Sequence, residues 1–225
     1  MPAAIRLYHD PVSSPCRSVA LFAADCGLEL DLIRIDLSVK EQMADWFMRL
    51  NPSHAVPVIE HDDFILTEAP AILRYLAGLT NSPAYPQGLR ERARVDEMMN
   101  WFATGFSEDY VQGYCYAHVL PKYVPVNGDL PAHLGRVRPR CEERFAVLDA
   151  WLEGRPYLTG QMRTIADYYG ACQVVVGDLV DFNYSSHRNV SRWVASMKTR
   201  RAWDEIHAAF YGLRSGLKAA MKMRA

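Results

Sequence analysis

"DPVSSPCRSV", residues 10–19, stands where a short strand-like run, Ile5–His9, gives way to an apolar helical run, Val19–Ala24. Pro15 suits the first position of a helix, because the N–H it lacks would be unpaired there anyway. That placement predicts Ser14 at the N-cap, Cys16 in the first turn, and Ser13 just outside, facing the open amides. A helix N-terminus carries roughly half a positive charge and favours a bound anion or a thiolate. Two local readings stand side by side. In one, the serines cap the helix and Cys16 packs in the core. In the other, one of these three side chains handles a thiolate. Cys16 as nucleophile has no second cysteine at Cys-x-x-Cys spacing and only His9 nearby.

Around this stretch, residues 1–79 alternate strand-like and helical runs. Ser18–Cys26 reads as a helix ended by Gly27, and Asp31–Asp36 alternates apolar and charged residues as a half-buried strand does. Val39–Leu50 has helical spacing at Met43, Trp46, Phe47 and Leu50. Val56–Ile59 and Phe64–Leu66 read as a hairpin across the acidic turn His61-Asp62-Asp63, and Glu68–Leu79 is helical again. The resulting order is βαβαββα. From Thr80 to Leu89 the composition turns to Asn, Ser, Pro and Gly, which marks a linker. Beyond it the segments 90–118, 131–153, 164–181, 189–198 and 200–218 are all expected to be helical. In "TGQMRTIADYYG", Thr164 followed by Asp167 forms a capping-box start, a folding signal worth about 1 kcal/mol per cap.

Composition bounds the function classes. Half of the 225 residues are hydrophobic, and a net charge of −1 gives no reason to expect nucleic acid or an anionic membrane as partner. Five scattered cysteines and seven histidines form neither a Cys-x-x-Cys nor a His-x-x-x-His pair, so no disulfide framework and no metal site is expected. The N-terminal stretch lacks a basic region leading into a long apolar core, and no run approaches the roughly 18–20 apolar residues of a bilayer span. A cytoplasmic protein is the expectation. The basic stretches "RVRPR" (136–140) and "LRSGLKAAMKMRA" read as solvated helix faces.

Two further stretches carry chemistry. In "NPSHAVPVIE" the residue before Pro57 is pushed to extended geometry, and Val56-Pro57 entering a strand is a candidate cis bond. A cis-proline there turns the Val56 backbone outward, where it can pair with a peptide-like ligand; an ordinary edge-strand proline fits the local sequence equally well. In "LTEAPAILRYL", Glu68 begins a helix, either as a cap or as the receiver of a ligand ammonium group.

Taken in order and spacing, "SSPCR", "NPSHAVP", "TEAPAILRYL" and the "TIAD" capping box resemble the cytosolic glutathione transferase family, most closely its theta/delta-like, bacterial-type classes. The resemblance covers essentially the whole chain. It implies an α/β thioredoxin-like N-terminal domain (βαβαββα) at 1–79, a linker at 80–89, an all-helical domain at 90–225, and a homodimer. It implies glutathione as co-substrate, and Ser13 as the hydroxyl that hydrogen-bonds its sulfur. Val56, before Pro57, pairs with the cysteinyl part, and Glu68 meets the γ-glutamyl end. His54 and Gln42 fall near the glycyl end. Ala69 stands where the family commonly has serine, which removes one hydroxyl from the γ-glutamyl carboxylate; Gln42 stands where related classes often have histidine. Both changes predict weaker glutathione affinity. The implied reaction conjugates the glutathione thiolate to a small hydrophobic electrophile, with Phe106, Tyr110 and Tyr114 as candidate pocket walls. Glutathione-dependent isomerisation, reduction or ether cleavage on the same fold, and a non-catalytic binding role, are the competing readings.

Overall fold

In the computed structural model, which describes residues 4–123 and 128–222, the chain opens with β1 (Ile5–His9), α1 (Ser14–Asp25) and β2 (Leu30–Arg34). Two single 3₁₀ turns (Leu37–Val39, Glu41–Met43) lead to the short α2 (Asp45–Leu50), then β3 (Val58–His61), β4 (Phe64–Thr67) and α3 (Ala69–Leu79). The sheet order is β2-β1-β3-β4. β1 and β2 are parallel, as a crossover through a helix requires, and β3 and β4 add antiparallel strands. This is the thioredoxin-like arrangement expected from the sequence.

The 39–50 segment departs from the expected single helix. Asp36 accepts hydrogen bonds from the Ser38 amide and hydroxyl through Oδ1, and its own N–H donates to Glu41 Oε2. Lys40 then takes a left-handed φ of 62°, and Ala44 is extended, so only Asp45–Leu50 continues as α-helix. Phe47 from α2 packs with Ile35 and Val58, and the side chain of Val56 joins that cluster.

The described residues fall into two compact units, one drawn from 1–86 and 200–225, the other Gln87–Thr199. The last helix, α9 (Trp203–Lys222), therefore groups with the sheet instead of with the other helices, unlike the expected division at 80–89. α1 explains why. It packs on α3 and also on α9, and its residues Cys16–Ala23 are all buried. Even Arg17 is buried, with its guanidinium 3.9 Å from the centre of the Phe210 ring, and Arg200 Nε lies 2.9 Å from the Asp25 carboxylate. A helix covered on both sides must be apolar almost all round, and "VALFAA" is.

The second unit holds α4 (Leu89–Trp101), a π-helical stretch Phe102–Tyr116, α5 (Ala117–Val119), α6 (Leu130–Trp151), α7 (Ile165–Val174) and α8 (Arg188–Lys198). A π-helix closes each turn with i→i+5 bonds, so its turns are wider than those of the α-helix the spacing suggested. Phe102, Phe106 and Tyr110 stack along its inner side with ring centres 5.0 Å apart at each step. Asp109 on the same stretch is buried and is neutralised by Arg140 and by Arg144, whose Nε lies 2.8 Å from Oδ2. Gly105 leaves room for that guanidinium; a Cβ there would sit 2.7 Å from Arg144 Nη2. The "RVRPR" run is thus partly committed inward, through Arg140. Among the described residues no helix is long and apolar enough to cross a membrane.

Candidate functional site

Hydrogen-bond register brings the sequence candidates to one end of the sheet. Tyr8 of β1 lies opposite Val58 of β3, and Val58 opposite Thr67 of β4. Because these neighbours run antiparallel, the chain leaving β1 towards Ser13, the chain entering β3 through Val56 and Pro57, and the chain leaving β4 into Glu68 all emerge at the same edge.

At the first of these exits, Asp10 builds the turn. Its Oδ1 accepts from the Val12 amide (2.8 Å) and its Oδ2 from the Leu37 amide (3.2 Å). Its carbonyl accepts from the Ser13 amide at 3.0 Å. The sequence offered no signal for this role beyond a carboxylate next to a strand end. Helix α1 then starts one residue earlier than Pro15 suggested: Ser13 is the N-cap, Ser14 the first helical residue and Pro15 the second. Proline fits either of the first two positions, since both amides lack an intrahelical partner. Ser14 is 1% exposed, whereas Ser13 is half-buried, so Ser13 is the serine a ligand can reach. Its hydroxyl does not cap the helix, and it lies near enough to the Cys16 thiol to act on its acidity.

Cys16 has no exposed surface. Burial pushes its thiol up to about 12, although the Ser13 hydroxyl and the Asp10 backbone pull the other way. A thiol in that range is fully protonated at neutral pH and is not a nucleophile. With native protein near pH 8, alkylation is expected to spare Cys16 and to reach the half-buried Cys26 first, with peptide mass mapping as the readout. Rapid labelling of Cys16 would count against this description.

At the second position, Val56-Pro57 is a cis peptide bond. The ladder of β3 begins at Val58, so the Val56 amide and carbonyl lie beyond it while the side chain is anchored in the small core. The preceding loop is organised by Asn51. His54 sits in it with a positive φ of 54°, and its Nδ1 is buried without a hydrogen-bond partner. Gln42 Oε1, in the second 3₁₀ turn, is likewise buried and unpartnered. A buried polar atom without a partner costs on the order of 1–3 kcal/mol, and a bound molecule or water can relieve that cost.

At the third position Glu68 is the N-cap of α3, with φ 65° and ψ 110°. For a residue with a side chain this is a strained backbone, of the kind that persists where the surroundings over-determine it, often at binding sites. Its side chain does not cap the helix and is exposed. Ala69 follows as the buried first helical residue, where an amide has no intrahelical partner.

The three aromatic candidates lie in the other unit, and two of them require correction. Phe106 and Tyr110 have no exposed surface, and the Tyr110 hydroxyl donates to the Val174 carbonyl at 2.9 Å. Gly177 makes space for that hydroxyl. Both are core residues, turned inward by the wide π turns, and neither forms a pocket wall. Tyr114 is 8% exposed, its ring packed between Phe182 and His118.

Both the sequence and the fold have counterparts among known proteins. The sequence fits the family described as Glutathione S-transferase, N-terminal domain over residues 3–78, and Glutathione S-transferase, C-terminal domain over 132–200. It is similar to glutathione S-transferase theta-1 of Bos taurus, 33% identical over 168 residues, which cover 72% of this chain and 69% of that one. Among solved structures, a delta-class glutathione transferase of Nilaparvata lugens aligns with a TM-score of 0.81 at 27% identity, over 96% of this chain and 99% of that chain. Human glutathione-S-transferase T1-1 in its apo form aligns with a TM-score of 0.84 at 26% identity, over 94% and 91% of the two chains.

Proposed function

As a member of the glutathione S-transferase family this chain is a glutathione-dependent transferase, and we propose that it joins the glutathione thiolate to a small hydrophobic electrophile, with Ser13 holding the sulfur. The observation that carries the reading is the shared edge of the sheet at which Ser13, Val56 and Glu68 emerge. Glutathione is a bent, peptide-like thiol with an ammonium and two carboxylates, and the donors and acceptors at that edge suit it. The Val56 backbone pairs with the cysteinyl unit as an added strand does. Glu68 meets the γ-glutamyl ammonium, and the Ala69 amide its carboxylate. Gln42, donating through Nε2, and His54, donating through a ring N–H, take the carboxylate at the glycyl end.

A free thiol has a pKa near 8.5, so only a few per cent is thiolate at neutral pH. The Ser13 hydroxyl donates a hydrogen bond to the sulfur, and the start of α1 adds its positive end. A drop of about 2 units, or roughly 2.7 kcal/mol, makes thiolate the majority form near pH 7. The thiol proton leaves to solvent. The sulfur then forms a bond to carbon, and either halide departs with the electrons of the broken carbon–halogen bond or an activated double bond takes up the charge. Ser13 remains a donor throughout and is neither base nor nucleophile.

Ala69 provides its amide but no hydroxyl. Losing one hydrogen bond to a charged group costs about 1.5–3 kcal/mol, so affinity for glutathione is expected to be modest. In this reading residues 1–79 hold glutathione, and the helical residues beyond the 80–89 linker provide the electrophile pocket, with Tyr114 as the aromatic candidate that keeps accessible surface. A homodimer, a cytoplasmic setting and a detoxifying role accompany it on the family likeness alone. The test is retention on immobilised glutathione together with turnover of chlorodinitrobenzene. No retention, and no turnover across halide, epoxide and isothiocyanate substrates, would overturn it.

A further inference from the structure

Asn51 is 3% exposed and uses every polar group it has. Its amide donates to the Phe47 carbonyl (2.8 Å), which ends α2, and its carbonyl accepts from the His54 amide (3.0 Å). Its side-chain Oδ1 accepts from the Ser53 amide (3.0 Å), and its Nδ2 donates to the Ala55 carbonyl (2.8 Å). One buried side chain therefore grips both ends of the segment 53–55. That segment places His54 at positive φ and delivers the chain to Val56. Nothing else in the segment has comparable hold on it, since Ser53 is exposed and His54 Nδ1 is unpartnered.

We infer that Asn51 is a positioning residue for glutathione affinity: it touches no substrate, but it sets in advance the loop on which His54 and the Val56 backbone receive the tripeptide. The inference rests on the glutathione reading above. A loop that is already ordered binds without the cost of ordering it, which is why its effect falls on binding and not on the chemical step. Neither Asn51 nor its partners lie on the stretch that carries Ser13, so the thiolate should form as before once glutathione is bound.

Asn51→Ala is the test. The expected result is an increase of about tenfold in the Kd and KM for glutathione, equivalent to roughly 1.4 kcal/mol. The KM for the electrophile and the pH midpoint of kcat should stay where they were, and the ligand-free variant should exchange the Ser53 and His54 amides faster. Asn51→Asp keeps the acceptor for Ser53 and sets two oxygens against each other at Ala55; it should weaken glutathione binding as well. A folded variant whose glutathione Kd is unchanged overturns the inference, and so does a loss of kcat with KM intact. Should neither variant fold, hydrogen exchange on the ligand-free wild type decides: slow Ser53 and His54 amides support the inference, and exchange as fast as in an open peptide overturns it. Failure of the wild type itself to bind glutathione is a different result, which removes the glutathione reading and this inference with it.

Discussion

Asp167→Ala is expected to lower the stability of the fold by about 3 kcal/mol or more and the melting temperature by roughly 6–12 °C. The carboxylate has no exposed surface and accepts four hydrogen bonds. Leu158 N and Trp193 Nε1 each lie 2.9 Å from Oδ1; Thr164 N (2.8 Å) and Thr164 Oγ1 (3.1 Å) reach Oδ2. Together these tie the turn at 158, the start of α7 and the buried ring on α8 to one residue. Alanine leaves buried donors without an acceptor, at about 1–3 kcal/mol each, and opens a small cavity. The substitution Asp167→Asn keeps one oxygen but turns an NH₂ group towards donors, so a smaller loss is expected. Thermal and urea unfolding followed by far-UV circular dichroism measure both. An unchanged midpoint for the alanine variant would show that the network carries no stability.

The same residue has a definite pH sign. Burial raises its carboxyl above the usual carboxylate range, outweighing the four donors. A raised folded pKa means that, as pH falls towards it, the folded state takes up the proton before the unfolded chain does. This group alone therefore favours the fold more at the acid end of that window and less as pH rises through the folded value. Removing the charge with asparagine should flatten that part of the stability profile.

How far such features could be read in advance depends on whether the deciding force is local. The Thr164–Asp167 start was legible, because a capping box is four residues long. So was the element order βαβαββα, which follows from strand and helix grammar, whereas the end of the sheet shared by Ser13, Val56 and Glu68 needed the strand register. The break inside 39–50 was not. No glycine or proline marks it, and it comes from Asp36 and Glu41 side chains competing for backbone amides. The π-helix was hidden for another reason. Aromatic residues four apart fit an α-helix and a π-helix alike, and packing of Tyr110 against Phe145 and Phe182 decides between them. The place of α9 depended on Arg17 finding Phe210, a contact between residues far apart in the chain that no periodicity encodes. Asn51 stood in plain sight within "NPSHAVP", but its importance lies in four simultaneous bonds, which only the folded loop displays.

Ser13→Ala is expected to reduce turnover roughly ten- to hundredfold while leaving the fold intact, because it removes one hydrogen bond to a charged sulfur, worth about 1.5–3 kcal/mol. The hydroxyl makes no cap bond, so helix α1 keeps its start, and the Asp10 carbonyl still holds residue 13 through its amide. What changes is the acidity of the bound thiol. Without the donor its pKa rises, so the thiolate fraction at neutral pH falls and the rising limb of the pH–rate profile moves to higher pH. Activity should then recover in part as pH increases, which a residue that acted by binding alone would not produce. Cys16→Ala is the necessary companion. The Cys16 thiol is buried and pushed up to about 12, so its removal should leave the pH midpoint near that of the wild type. Should Cys16→Ala abolish turnover while Ser13→Ala leaves it intact, the chemistry belongs to the cysteine, and the assignment of the thiolate donor within "DPVSSPCRSV" must be reversed.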